Sequence, residues 1–296
     1  AEGLAEEIGA DLYAPDAASA VQAADQHRQR RANLDQQTVG RMRRDQLVPA
    51  VERQRARLAD ALDGDRLPQI DIAGMRVGAP ISRPGKIVCI GVNYLAHAQE
   101  TQHEEPAEPV VFLKTSATIV GPHDEVLIPR GSSATDYEVE LAAVIGSTAR
   151  YLDDAEQGLA CVAGYTVSDD VSERDFQMNR GGTWDKGKNC ETFNPLGPEL
   201  VTADEVPDPQ RLDIRLTVNG EVRQRANTAQ MIFGVGEIVR YLSHFMVLEP
   251  GDVVNTGTPA GVAFGYPDPK PYLRRGDVIE THVDLLGGHR SVLGEA

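Results

Sequence analysis

Thr135-Asp136-Tyr137-Glu138-Val139-Glu140-Leu141-Ala142-Ala143-Val144-Ile145-Gly146 is the stretch whose reading decides the fold. Gly131-Ser132-Ser133 precedes it and Gly146-Ser147 follows, so turn formers bound an apolar, β-prone run, the pattern of a strand. Side chains two apart on a strand share a face, which sets Glu138 beside Glu140 and turns Tyr137, Val139 and Leu141 inward. From Ala142 onward both faces are apolar, so the strand runs from a wet site into a core. Two carboxylates on one face near a strand end suit a hard cation such as Mg²⁺ or Mn²⁺, provided a third ligand joins them. The alternative is a solvated strand face.

Downstream, residues 159–167 read as a second buried strand ending in Ser168-Asp169-Asp170. Asp170-Val171-Ser172-Glu173 has the form of a capping box, which predicts a helix starting there. Asp170 is then either an N-cap or the missing third ligand. Gly181-Gly182 ends that helix, and residues 184–193 read as a loop too polar for the core. Residues 212–218 and 221–224 flank Asn219-Gly220, a hairpin signature. Met231, Ile232, Val235, Ile238, Val239, Leu242 and Phe245 form the clearest helical stripe, and residues 253–261 and 278–283 supply further strand and turn.

Upstream, residues 86–92 read as a buried strand and 93–101 as a short helix carrying His97 and Glu100, three apart and so on one face. The polar, Glu- and Pro-rich residues 102–109 are expected to be mobile, and His103 within them has no assigned role; strands resume at 110–114 and 125–129. Residues 1 to about 65 are rich in Ala, Gln, Arg, Asp and Glu, with Leu47, Val48, Val51, Leu58 and Leu62 at helical spacing, so helices are expected.

Across the 296 residues, 45 acidic against 29 basic side chains give a net charge of −16, which argues against binding nucleic acid through its phosphates. The arginines between Arg28 and Arg57 are interspersed with acidic residues and lack aromatic partners, the composition of a solvated helix face. No apolar segment is long enough to span a membrane, and the first residues lack the pattern of a signal peptide. Cys89, Cys161 and Cys190 form no CxxC, which suggests reduced thiols and a cytoplasmic protein.

Gly91-Val92-Asn93-Tyr94 with His97 and Glu100, then Tyr137-Glu138-Val139-Glu140, the run from Gly164 to Asp175, Trp184 through Lys188, and Asn255-Thr256-Gly257-Thr258-Pro259 follow one another in order. Together, over about residues 80–290, they resemble the fumarylacetoacetate hydrolase superfamily. The resemblance implies an α+β, mainly β fold of sheets rolled around a metal site in residues 81–296, usually in a homodimer. Family members often carry a small β-rich N-terminal domain; residues 1–80 read instead as a largely helical accessory segment.

The resemblance further implies that Glu138, Glu140 and Asp170 hold one Mg²⁺ or Mn²⁺ per subunit, where a 2-oxo acid substrate can chelate. His97 would activate water with Glu100 orienting it. Lys188, which keeps the family's distance from Trp184 where Lys186 does not, would stabilise oxyanion charge. Thr258, Gly257 and Tyr94 would bind substrate, and Arg174 is expected to be structural. The implied reaction is hydrolysis of a carbon–carbon bond in a 2,4-dioxo acid, an acylpyruvate or a diketo sugar acid, releasing pyruvate. Oxaloacetate decarboxylation and isomerisation of a 2-hydroxyhepta-2,4-diene-1,7-dioate-type substrate use the same site. A silent scaffold would have lost a ligand or the His–Glu pair, and both are present.

Overall fold

A computed structural model describes residues 74–296, and the helices expected before residue 74 lie outside the described residues. In chain order the strands are β1 (Ile87–Gly91), β2 (Val110–Lys114), β3 (Ile119–Val120), β4 (Val126–Ile128), β5 (Thr135–Asp136), β6 (Val139–Ile145), β7 (Val162–Asp169), β8 (Ser172–Glu173), β9 (Asn194–Thr202), β10 (Asp213–Val218), β11 (Glu221–Asn227), β12 (Val253–Asn255), β13 (Val278–Val283) and β14 (Arg290–Glu295). The helices are α1 (Leu95–Glu100), α2 (Ala155–Ala160), α3 (Arg174–Asn179), α4 (Asp185–Lys188) and α5 (Val235–Leu242). Among the described residues the fold is therefore mostly β, with short helices.

A seven-stranded sheet runs β2-β1-β12-β6-β7-β9-β3, a five-stranded sheet runs β11-β10-β13-β14-β4, and β5 pairs with β8. Alternation along β6 decides which face meets which core. Val139, Leu141, Ala143 and Ile145 join Ile214, Leu216 and Ile279 of the second sheet and Ile238 and Leu242 of α5 in the main core. Ala142 and Val144 face a smaller cluster with Cys89, Phe112 and Leu196. Glu140 shares that second face by its even spacing.

The expected strand over residues 135–146 is interrupted. The Asp136 carboxylate accepts from the Tyr137 amide (2.9 Å) and the Asp169 carboxylate from the Glu138 amide (2.9 Å), so side chains replace the ladder there and the strand splits into β5 and β6. The helix expected from Asp170 starts only at Arg174, because β8 intervenes; its N-cap is Glu173, which accepts from the Asp175 amide (3.2 Å). Residues 184–193 are not all loop: α4 forms, and Lys188 and Phe193 are buried. Leu159 lies within α2 and does not begin a strand. The stripe from Met231 yields a helix over its middle only, since Thr228–Gln230 is a tight turn capped by Asn227 and Met231 bridges to Tyr94.

Strand direction then gathers four ends. β1 and β12 run parallel, β12 and β6 antiparallel, and β6 and β7 antiparallel with Val139 opposite Asp169. The C-terminal ends of β1, β12 and β7 therefore lie beside the N-terminal end of β6.

His289, between β13 and β14, ties the sheets together: its Nε2 donates to the carbonyls of Gly197 (2.9 Å) and Val167 (3.1 Å), while Nδ1 has no partner among the described residues. Burial pushes the imidazole down to about 4, against the upward pull of those two carbonyls. The unfolded chain takes up a proton at His289 near pH 6.5 and the folded chain does not until about 4, so this residue removes stability as pH falls through that window and contributes no pH dependence above it. The loss amounts to ~3 kcal/mol across the window. Denaturant titrations between pH 7 and 4 are expected to show His289→Gln losing less stability on acidification than wild type; parallel curves would contradict the assignment.

Candidate active site

Glu138, at the turn into β6, Glu140 on β6 and Asp170 just after β7 meet at the shared end of the sheet. They are buried, and one oxygen from each lies within 4.8 Å of the others. The Asp170 amide donates to the Glu138 carbonyl (2.8 Å), which fixes the two backbones together.

Three cations surround these carboxylates. Lys188 Nζ, from α4, donates to Glu138 Oε2 (2.6 Å) and Asp170 Oδ2 (2.7 Å). Lys114 Nζ, at the end of β2, donates to Asp170 Oδ1 and to the carbonyls of Phe193 (2.7 Å) and Val171 (3.2 Å), which uses all of its protons. Arg174, opening α3, donates through Nη2 to Glu138 Oε1 (2.6 Å), through Nε to Asp136 Oδ2 (2.8 Å) and through Nη1 to Gln177 Oε1 (2.9 Å). Arg174 is thus part of the site.

Burial raises the Glu138 carboxyl, but Lys188, Arg174 and His97 outweigh it and hold the group well below the usual carboxylate range. Among the described residues Glu140 has no such partner. Burial, then the charges of Asp170 and Glu138, push it well above its ordinary value, against Lys188 and the Gly257 amide on its Oε2 (2.8 Å). Burial would lower Lys188, and Asp170 and Glu138 more than offset this, so it stays protonated.

His97, on α1, is buried against the same cleft, which Phe112, Gln177, Trp184, Thr258 and Phe264 also line. Its Nδ1 lies 2.8 Å from Glu100 Oε1, and Glu100 Oε2 accepts from the Gly261 amide (2.9 Å). The carboxylate can only accept, so Nδ1 carries the proton and Nε2 is the basic nitrogen.

Thr258 lies on the cleft, but its hydroxyl donates to the Val139 carbonyl (2.9 Å) and accepts from Gln224 Nε2 (2.8 Å). Its hydroxyl is thereby committed within the protein. Gly257 is committed to Glu140; its φ of +97° is one that a side chain rarely adopts, and a Cβ there would stand 2.7 Å from Asn93 Cβ. Tyr94 does not line this cleft. It lines a second hollow beside Leu95, Gln99 and Arg225, and its buried hydroxyl has no partner among the described residues. Lys186 is exposed, with Nζ on the Arg180 carbonyl (2.5 Å), away from the triad.

The sequence profile described as fumarylacetoacetate (FAA) hydrolase C-terminal matches residues 86–293. The chain belongs to the fumarylacetoacetate hydrolase family. A relative from Burkholderia ambifaria, named only "Putative hydrolase", is 50% identical over 227 residues, covering 77% of this chain and 80% of its own. Among solved structures, a 2-hydroxyhepta-2,4-diene-1,7-dioate isomerase from Mycobacterium marinum is 38% identical with a TM-score of 0.64, covering 74% of this chain and 78% of that one. Maleylpyruvate hydrolase from Sphingobium is 33% identical with a TM-score of 0.69, covering 83% and 84%. Fumarylacetoacetate hydrolase family members are hydrolases or isomerases and generally depend on a divalent metal. The three buried carboxylates fit such an ion: they offer hard oxygen donors, close enough to share one cation, and among the described residues Glu140 has no full cationic partner of its own.

Lys114 carried no signal in the sequence beyond ending an apolar strand, yet it is fully enclosed. Removing one partner of a buried ion pair strands the other charge, at about 3–5 kcal/mol. Lys114→Met is expected to lower stability by that order in chemical denaturation, whereas Arg180→Met, at an exposed pair, should change it little. Equal effects would contradict the buried-pair account.

Proposed function

We propose that this chain is a Mg²⁺- or Mn²⁺-dependent hydrolase that cleaves the C3–C4 bond of a 2,4-dioxo acid, an acylpyruvate or diketo sugar acid, and releases pyruvate. The observation that carries this reading is the His97–Glu100 pair beside the carboxylate triad: a base whose Nε2 has no partner among the described residues, next to a candidate cation site. Bound by Glu138, Glu140 and Asp170, the ion would supply Lewis acidity toward a 2-oxo acid's carboxylate and keto oxygens.

The protein's own groups do the rest. The Thr258 backbone N–H receives the substrate carboxylate, and Lys188 lies where an ammonium can balance charge building on oxygen. His97 Nε2 takes a proton from water, and the hydroxide adds to the C4 carbonyl. Collapse re-forms the C4 carbonyl and breaks C3–C4; that bond's electron pair passes to the pyruvate fragment as its enolate. Protonation at C3 gives pyruvate, and C4 leaves as a carboxylic acid. Glu100 steadies the imidazolium meanwhile. Isomerisation is the second reading, favoured by the likeness to the Mycobacterium marinum isomerase.

The test follows loss of acylpyruvate enol absorbance together with pyruvate release, with Mg²⁺ or with EDTA. Turnover is expected only with metal, and His97→Ala should lower kcat by about 10²–10⁴-fold. Conversion of a hydroxy-dienedioate without pyruvate release, with acylpyruvate left intact, would overturn the hydrolase reading for the isomerase one.

A further inference from the structure

We propose that His103 reads the distal end of the substrate and selects a chain that carries a hydroxyl there over one that carries an alkyl group or a second carboxylate. The inference rests on the cleft being a 2-oxo acid site and deepens the reading given above.

Backbone geometry brings His103 to the cleft. Helix α1 closes with the Gln102 amide donating to the Gln99 carbonyl (3.2 Å) and the His103 amide to the Ala98 carbonyl (2.8 Å), with Gln102 at φ 59°. This paired closure reverses the chain at the end of the helix. His103 consequently does not trail away with residues 104–109; it lines the cleft beside His97 and Thr101.

Hydrogen bonding then fixes which ring nitrogen is free. The Thr101 hydroxyl has one proton, and it points at the His97 carbonyl (2.7 Å). Toward His103 Nδ1, 2.9 Å away, that oxygen can only accept. Nδ1 therefore carries the hydrogen, and in the neutral ring Nε2 is a bare acceptor with no partner among the described residues. Gln177, on the same cleft, is oriented by the same logic. Its Oε1 accepts from Arg174, which leaves its amide nitrogen as a donor without a partner among the described residues.

The cleft thus offers one acceptor and one donor to whatever projects from C4. A hydroxyl can donate to His103 and accept from Gln177. An alkyl chain satisfies neither. A carboxylate only accepts, so it would set its lone pairs against that of Nε2. Sites that hydrogen-bond a substrate hydroxyl discriminate against analogues lacking it because their own polar groups are left unpaired. His103 is exposed, so water can take the place of a missing hydroxyl at Nε2, which keeps the expected effect to about tenfold.

The experiment compares kcat/KM, with Mg²⁺ at about pH 8.5, where an imidazole is ordinarily neutral, for acetylpyruvate, its counterpart with a terminal hydroxyl, and a counterpart with a terminal carboxylate. Wild type is expected to favour the hydroxylated substrate about tenfold over either other. His103→Phe, which keeps a ring and loses the acceptor, should collapse that ratio, and His103→Gln should restore part of it. In parallel, calorimetry on saturated 2-oxo acids with and without the hydroxyl, which lack the C4 carbonyl and cannot be cleaved, measures the same preference without turnover. A binding preference lost in His103→Phe supports the assignment even where nothing is hydrolysed. A ratio unchanged between wild type and His103→Phe in both measurements, or a preference for the terminal carboxylate, overturns it even where hydrolysis proceeds.

Discussion

Asp136, Glu138, Glu140 and Asp170 are all withdrawn from water where β5, β6 and β7 come together, and the rest of the structure has to accommodate that. A buried carboxylate costs several kcal/mol unless charges and hydrogen bonds replace its hydration. The replacements come from far along the chain. Lys114 arrives on β2, Arg174 on α3 and Lys188 on α4; the amides of Gly257, Ala263 and Phe264 arrive on the segment after β12. No local element could supply these groups, so the sheet order that brings β1, β12, β6 and β7 into register is what makes the carboxylates tolerable. It also leaves Glu140, among the described residues, without an ion pair of its own, so the three carboxylates are a set that can accept a divalent ion.

The same constraint ties catalysis to architecture. Glu100 holds His97 with one oxygen and the Gly261 amide with the other, so the helix bearing the base is fixed to the segment bearing Thr258. Asn93 adds a second tie, donating to the carbonyls of Thr256 (2.7 Å) and Phe233 (3.0 Å). Close packing adds another: a Cβ on Gly91 would stand 2.4 Å from the Trp184 ring, which lies edge-on to Phe112 across the cleft wall. His97, the segment carrying Thr258 and the carboxylate triad are thereby held relative to one another, the kind of fixed geometry under which orientation contributes most to rate.

What the sequence made legible was whatever repeats at short range. The alternation of Tyr137, Val139 and Leu141 against Glu138 and Glu140 placed the core face and the polar face, and Asn219-Gly220 located the β10–β11 turn. Motif order identified the family, and the structure brings Glu138, Glu140 and Asp170 together as that order implied. Long-range contacts were hidden. Asp170-Val171-Ser172-Glu173 has the spacing of a cap, but Asp170 is pinned by Lys114, 56 residues away, and the cap passes to Glu173. Composition made residues 184–193 look like solvated loop, because nothing local reveals that Lys188 meets two buried carboxylates. The ion pairs of Arg174 with Asp136 and Glu138 were hidden for the same reason: those partners lie on other elements.

The most direct measurement is a crystal grown with Mn²⁺ and recorded at the manganese absorption edge. The account predicts one anomalous peak per chain, bonded to oxygens of Glu138, Glu140 and Asp170, and lost in Glu140→Gln while the fold persists. A peak seated elsewhere, or none at the triad in a well-ordered crystal, would contradict it.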